Sequence, residues 1–315
     1  MQPLMRYLPH ELSLDFIGPR GWAYLFTALL VVASLISIGT RGFNFGIDFA
    51  GGSLIEARSA GPADISKLRE DLDSLGIGQV EITTIGDTGR DIMIRVQQQP
   101  GEAEQNAALK KVQGLLEGYE IRRTELVGPK VGAELVISSA LAIALAIIAI
   151  AIYVWIRFEW QFALGACLAL CHDVLTTVGI FSLFQMEFNL TVVAGLLTIA
   201  GYSVNDSIVV YDRVRENLRK YKTMPLPDLL NFSINRVFSR TLLTVFTVFL
   251  TVIALLVFGG TALRGFSIAM MWGLFVGTYS SIYLGLPVLL YFDLRPEVML
   301  DTRPKVSQVP EYERN

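Results

Sequence analysis

Residues 201–216, GYSVNDSIVVYDRVRE, set Asn205 and Asp206 side by side in a run that otherwise reads as the inside of an apolar helix. A carboxylate near the centre of a bilayer costs about 2.5–3.5 kcal/mol, so it faces protein or water and finds a partner. The candidate partner is Arg240, in FSRTLLTVFTVFL. Counted from the middle of its own apolar run, Asp206 lies about six residues, roughly 9 Å, towards one end. Arg240 lies about as far towards the same end of the next, antiparallel run. Matched depth on consecutive helices makes the two a candidate ion pair. A buried carboxylate is far more expensive than a buried hydroxyl, so Asp206 reads as functional and not as packing.

Other polar residues gather around this pair. Thr198, Tyr202, Asn205 and Val209 follow a 4, 3, 4 spacing that puts the polar ones on one helix face with Asp206 at its border. Thr241, Thr244, Thr247 and Thr251 form a hydroxyl stripe that either hydrates a proton path or packs as weak glue between helices. His172 and Asp173, near the midpoint of another apolar run, are either a satisfied pair that fixes packing or a second protonatable station. Cys167 and Cys171 lack further soft ligands and read as small packing residues. Gly273, Gly277, Ser281 and Gly285 recur every four residues, a small-residue stripe that admits a close neighbour, from this chain or from another subunit. Asp212, beside Arg213 and Arg215, reads as an interfacial ion-pair residue.

The elements that must position these groups follow from hydropathy. Of the 315 residues 52% are hydrophobic, and they are bunched into stretches near the roughly 20 residues that cross a bilayer. Six such stretches fall at about 21–39, 135–156, 161–184, 190–211, 238–258 and 265–291. The expected fold class is therefore a polytopic α-helical membrane protein with six transmembrane helices. The first stretch lacks a cleavage pattern at its end and reads as an uncleaved anchor. Two cysteines and two histidines leave neither a disulfide framework nor a zinc cluster, no cofactor is expected, and a net charge of -3 gives no sign of nucleic acid.

Lys and Arg set the orientation. Arg6, Arg20, Arg157 and the loop 212–237, with Arg213, Arg215, Arg219, Lys220, Lys222 and Arg236, lie on one side; the other side carries little beyond Glu187 and Arg264. Both termini are thus expected in the cytoplasm, the first over 1–39 together with its helix and the second as a tail over 292–315. Residues 40–134 then form an extracytoplasmic domain ahead of the helices of 135–291. Within it SLIEARS, QVEITTIG, DIMIRVQ and YEIRRTELV read as strands, and ADISKLREDLDSLG and EAEQNAALKKVQGLLEG as helices. The order strand, helix, strand, strand, helix, strand predicts an α+β ferredoxin-like domain between helices 1 and 2. It carries no nucleotide loop, metal spacing or nucleophile motif, so an enzyme is not expected. PLPDLLNFSINRVFS reads as a short interfacial amphipathic helix ahead of the fifth span, placed to transmit motion or merely to lie on the membrane.

GIDFAGG (46–52), VGPKVGAEL (127–135), HDV (172–174), GYSVNDSIVVYDRVRE (201–216), SINRVFSRT (233–241) and GTYSSIY (277–283) together resemble the SecF subunits of the bacterial Sec protein translocase, in the resistance-nodulation-division superfamily. They occur in the family's order over nearly the whole chain. The resemblance implies an accessory subunit of the inner membrane that pairs with SecD. With SecYEG and SecA, and YajC and YidC as further partners, it would use proton flow to promote late export and release of preproteins. It places the family's proton-relay aspartate on Asp206 and its arginine on Arg240; by their own types and positions, apart from the resemblance, Asn205, Tyr202, His172, Asp173 and Thr244 read as supporting polar residues. Asp48, Gly51 and Gly52 match the segment that leads into the external domain. Ser207 and Tyr211 stand where many relatives have threonine and phenylalanine, so a hydroxyl and an aromatic ring are retained. No SecD half is fused to the chain, so that partner is expected in trans. Two alternatives remain: a proton-coupled small-molecule exporter, which needs a substrate cleft between external subdomains, and a passive assembly factor, in which loss of Asp206 lowers complex abundance alone.

Overall fold

The structure, a computed structural model, describes residues 14–86, 88–292 and 294. Arg6 and nearly all of the expected tail over 292–315 lie outside the described residues. Helix α1 (Arg20–Arg41) leads through strand β1 (Asn44–Phe45) and the one-turn α2 (Ile47–Ala50) into an α/β unit. The unit runs β2 (Gly52–Arg58), α3 (Ile65–Ser74), β3 (Val80–Ile85), β4 (Asp91–Val96), α4 (Glu102–Leu115) and β5 (Glu120–Val127). After it come α5 (Pro129–Arg157), α6 (Trp160–Leu183), β6 (Glu187–Phe188), α7 (Leu190–Lys220), α8 (Leu226–Phe258) and α9 (Gly260–Ser280). Helix α9 passes without a break into a π-helical turn, Ser281–Gly285, and a 3-10 turn, Pro287–Tyr291.

Six helical segments among the described residues are long and apolar enough to span a bilayer: α1, α5, α6, α7, α8 and the stretch Gly260–Tyr291. By length and composition the chain is a multi-pass membrane protein. Helices α6, α7 and the α9 segment are half buried or more within the chain, whereas α1, α5 and α8 are little buried and flank them. Hydropathy could not rank the six in this way, because lipid and protein interior are equally apolar to a leucine.

The α/β unit is a four-stranded antiparallel sheet in the order β3-β4-β2-β5. Alternation along β4 sends Ile92, Ile94 and Val96 to the buried face, where they meet Leu68 and Leu72 of α3 and Ala108 and Val112 of α4. Full burial of an isoleucine is worth about 1.5–3 kcal/mol, so this small core sets the register. Asp64 caps α3 by accepting from Lys67 N at 3.1 Å. Arg58 of β2 grips Asp91 of β4 with two bonds of 2.6 Å, and that guanidinium holds the Asp91 carboxyl below the ordinary carboxylate range.

Three boundaries differ from expectation. Helix α5 starts at Pro129, ahead of position 135, because a proline is welcome in the first turn of a helix and carries the helix into the polar VGPK stretch. Helix α7 runs on to Lys220, well past the apolar run. The amphipathic PLPDLLNFSINRVFS is not a separate interfacial helix. It is the first turns of α8, a single helix of 33 residues. Its apolar face is covered by protein: Leu229, Leu230 and Ile234 are buried, and Asn217 of α7 donates to Ser233 at 2.8 Å. Its Asn231 and Asn235 accept from the backbone of Phe16 and Leu14.

Candidate functional site

Helix α7 begins with two acceptors at its free N–H groups. The Asn189 side chain accepts from Val192 N at 3.2 Å, and Asp48 of α2 accepts from Leu190 N at 2.8 Å. The segment GIDFAGG therefore ties the start of the α/β unit to the head of the helix that carries Asp206. Gly52 has φ +112°, and a Cβ there would collide with the Val96 carbonyl of β4, so only glycine closes the sheet at this point. Gly51, with φ +74°, likewise makes room for Gln98.

The same joint has further members. Strands β1 and β6 pair in parallel. The sheet face opposite α3 and α4 looks towards the ends of the spanning helices, and Arg95 of β4 reaches Glu187 of β6 at 3.1 Å. Thr261 of α9 donates to Glu56 of β2 at 2.6 Å. A cavity of about 380 Å³ opens here, with Glu81, Arg95, Glu187 and Arg264 among its walls. Burial pushes the Glu187 carboxyl up from the usual range, while Arg95 pulls it back down and Asp48 and Glu81 push it up further.

Inside the bundle, Ser203, Asp206, Ser207 and Val210 form the buried stripe of α7. Asp206 is 4% exposed and accepts no protein hydrogen bond among the described residues. It borders a narrow cavity walled by Phe238 and Thr241 of α8 and by Thr278 and Ser281 of the α9 segment. Arg240 is not there. It makes no ion pair with Asp206, and its side chain is exposed on the outer face of α8. Depth counting matched the two residues along the membrane normal, but one step along a helix rotates the side chain by about 100°, and it is Thr241 that points inward. The expected polar face of α7 divides in the same manner: Thr198 and Asn205 are exposed, Tyr202 is half-buried and Asp206 points inward. Of the threonine stripe, Thr244, Thr247 and Thr251 donate to carbonyls one turn back in their own helix, Thr244 to Arg240 O at 2.9 Å.

His172 and Asp173 are both buried in α6. The imidazole Nδ1 lies 3.1 Å from Asp173 Oδ1. Ser203 of α7 and Ser280 of α9 both donate to Asp173 Oδ2, at 2.5 and 2.9 Å. Ser281 lies 3.0 Å from Ser207, hydroxyl to hydroxyl. Ser203 and Ser280 lie in the GYSVNDSIVVYDRVRE and GTYSSIY segments, and Ser280 beside the small-residue stripe reads from sequence as packing. Nothing in the sequence signals that either faces Asp173, since a serine in a membrane helix shows its acceptor only across a helix contact. The small-residue stripe divides at the π turn. Gly273 packs on Ile199 and Gly277 on Ser203, both of α7, whereas Gly285 meets Gly165 and Ala169 of α6. Its neighbours are internal to the chain. Asp212 pairs at 3.0 Å with Arg157 of α5, and Arg215 pairs with Glu159 at 3.2 Å. Among the described residues no group of three His, Cys, Asp or Glu side chains is placed to hold a metal.

Comparison with known proteins agrees over nearly the whole chain. Residues 107–295 match the family described as protein export membrane protein SecD/SecF, C-terminal, and residues 36–63 match the SecD/SecF GG motif. The protein translocase subunit SecF of Rickettsia conorii is 43% identical over 296 residues, which covers 91% of this chain and 94% of that one. Its counterpart in Cereibacter sphaeroides is also 43% identical, over 91% and 92%. The crystal structure of SecDF from Thermus thermophilus, a translocon-associated membrane protein, superposes with a TM-score of 0.79 at 35% identity. That match covers 90% of this chain, which spans 39% of the longer SecDF chain. A SecDF structure in a super-membrane-facing form gives a TM-score of 0.65 over 89% of this chain.

Proposed function

This chain belongs to the SecD/SecF protein-export family, as a SecF-type subunit with a role in protein translocation across the membrane, and from that premise we propose that it drives late export by binding and releasing protons at Asp206. The observation that carries the reading is Asp206 itself, a buried carboxylate without a protein hydrogen bond, set in a cavity between three spanning helices. A carboxyl group so placed is stable when protonated and strained when ionised, because charge is poorly solvated there. The ionised form is the charge that would draw Arg240 round α8 towards the cavity, and reprotonation would release it. The arrangement seen here, with Arg240 outside, fits the protonated member of that cycle. One proton crossing 100 mV supplies about 2.3 kcal/mol, enough to bias a two-state element.

Transmission follows from α7, which bears Asp206 in one half and is capped at its head by Asp48. A shift of α7 is felt at the GG segment, at the Arg95–Glu187 pair and at the Thr261–Glu56 bond, and so by the α/β unit. We assign that unit, β2 to β5 within the expected domain over 40–134, to the extracytoplasmic side with a ferredoxin-like fold, which its strand order supports. The termini and the basic segment 212–225, the end of α7 and the turn after it, are assigned to the cytoplasm, where Arg157, Arg213, Arg215, Arg219, Lys220 and Lys222 concentrate. Thr198 and Asn205 of α7 and Arg240 of α8 are exposed on helices that span the membrane. Polar groups in such places are covered by a partner, and we assign that partner as SecD, with SecYEG, SecA and the preprotein beyond it.

The test is proton-motive-force-dependent export by vesicles holding the subunit with SecD and the channel. Asp206→Asn is expected to abolish the stimulation while co-purification with SecD is unchanged. Full stimulation by an intact Asp206→Asn complex would sink the reading.

A further inference from the structure

Asp173 is the most deeply buried acidic group in the bundle, with an exposure of 0%, and it is not part of the relay just described. Three helices converge on it. His172 of α6 meets one carboxyl oxygen, and Ser203 of α7 and Ser280 of α9 both donate to the other. The opposite ring nitrogen, His172 Nε2, is buried and has no hydrogen-bond partner. A pair needed only for packing would be satisfied at both ends, since an orphaned buried polar atom costs about 1–3 kcal/mol. A carboxylate that orients an imidazole by one nitrogen and leaves the other free is instead the arrangement of a group that takes up and returns a proton.

We propose that His172 and Asp173 form a second proton-binding station, which controls the grip of α6 on α7 and α9. The inference rests on the reading of the protein as proton-driven. Uptake of one proton from water at His172 Nε2, with the Nδ1 proton passed on to Asp173 Oδ1, changes the dyad from net charge -1 to 0 and leaves Asp173 as the neutral acid. While Asp173 is ionised, the bonds from Ser203 and Ser280 are charge-assisted and roughly twice as strong as neutral ones, so they clamp the three helices together. Neutralising the dyad relaxes the clamp.

The position makes this consequential for Asp206. Ser203 lies one turn before Asp206 on α7, and Ser280 precedes Ser281, which walls the Asp206 cavity and touches Ser207. The helix changes to π geometry at Ser281, next to the clamp, and π turns are places where a helix can change register. The other titratable groups around the dyad are few, and on α6 itself the free thiol of Cys171 adjoins His172. Tyr279 of α9 stands with its ring centre 6.3 Å from the imidazole and is itself held by Thr27 and the Ala23 carbonyl of α1. Asp206 lies on α7. Helix α1 carries no Asp, Glu, Lys or Arg between Arg20 and Arg41, and α5 carries none between Glu134 and Arg157. Nothing else charged in the spanning stretches of these helices competes with His172 for Asp173.

Infrared difference spectra between acid and alkaline pH, recorded on the full chain with SecD in lipid vesicles, test the station directly. Two titrating carboxyl bands are expected, one absent in Asp206→Asn and the other absent in Asp173→Asn and displaced in His172→Gln. In the export assay His172→Gln is expected to move the pH midpoint of proton-motive-force stimulation by about one unit, a tenfold change in proton affinity. Should Asp173→Asn fail to assemble, the parent and His172→Gln spectra decide. The proposal is overturned if only the Asp206 band titrates, or if His172→Gln leaves both band and midpoint in place. Stimulation that survives Asp206→Asn would instead overturn the relay at Asp206, while the Asp173 band remains readable.

Discussion

Replacing Glu187 by glutamine is expected to tighten the joint between the α/β unit and the helical bundle at neutral pH and to leave it unchanged in acid. Glu187 faces Arg95 at 3.1 Å with 32% of its side chain exposed. Burial, together with the charges of Asp48 and Glu81, pushes its carboxyl up by more than Arg95 pulls it down. A carboxyl whose pKa is raised on folding binds its proton more tightly in the folded state. Its contribution to stability is therefore lost as pH rises from the unfolded value through the folded one, and the penalty is complete above it. Glutamine carries no charge at any pH, so the difference between variant and parent should open as pH rises and close in acid. With a third of the side chain in water the penalty is screened to the scale of exposed electrostatics, about 0.2–1 kcal/mol. Arg95 is not orphaned by the change, because Glu81 remains 3.9 Å away. Thermal melting and amide exchange at β1 and β6 across a pH series would measure the effect. A variant that is less stable than the parent at neutral pH by more than about 1 kcal/mol, or a difference independent of pH, would refute this account of the joint.

Two further outcomes follow from packing and charge. Gly165→Ala should impair assembly by about 1–3 kcal/mol, because its new Cβ meets the rigid Gly285 carbonyl across the α6 contact; Gly277→Ala, whose nearest neighbours stand at 3.4 Å or more, should be tolerated, and equal melting temperatures for the two would contradict the packing. Asp91, held below the ordinary carboxylate range first of all by its bond from Arg58, stabilises the α/β unit above its unfolded pKa and loses that contribution as pH falls through its lower folded value. Asp91→Asn should flatten this acid limb, which an acid titration of unfolding would show.

Six apolar runs, the strand and helix order between the first two, and the presence of a costly carboxylate at Asp206 were all legible in the sequence, because each depends on local composition and period. A bilayer needs a certain apolar length, a sheet alternates, and a charge in hydrocarbon stands out by type alone. Which way a side chain points around its helix was not legible, since that depends on what the other helices offer. Asp206 and Arg240 agree in depth and differ in azimuth, so the structure places Thr241 and not Arg240 against the carboxylate. His172 and Asp173 read equally well as packing or as chemistry until Ser203 and Ser280 were seen to converge from two other helices and His172 Nε2 to lack a partner. The small-residue stripe announced a close neighbour without naming it, because glycine records only that something approaches. The tertiary structure supplied α7 and, at the end of the π turn, α6 as well. Local free energies along the chain determined the elements; their rotation and partners were decided by contacts between residues as far apart in sequence as Asp48 and Leu190.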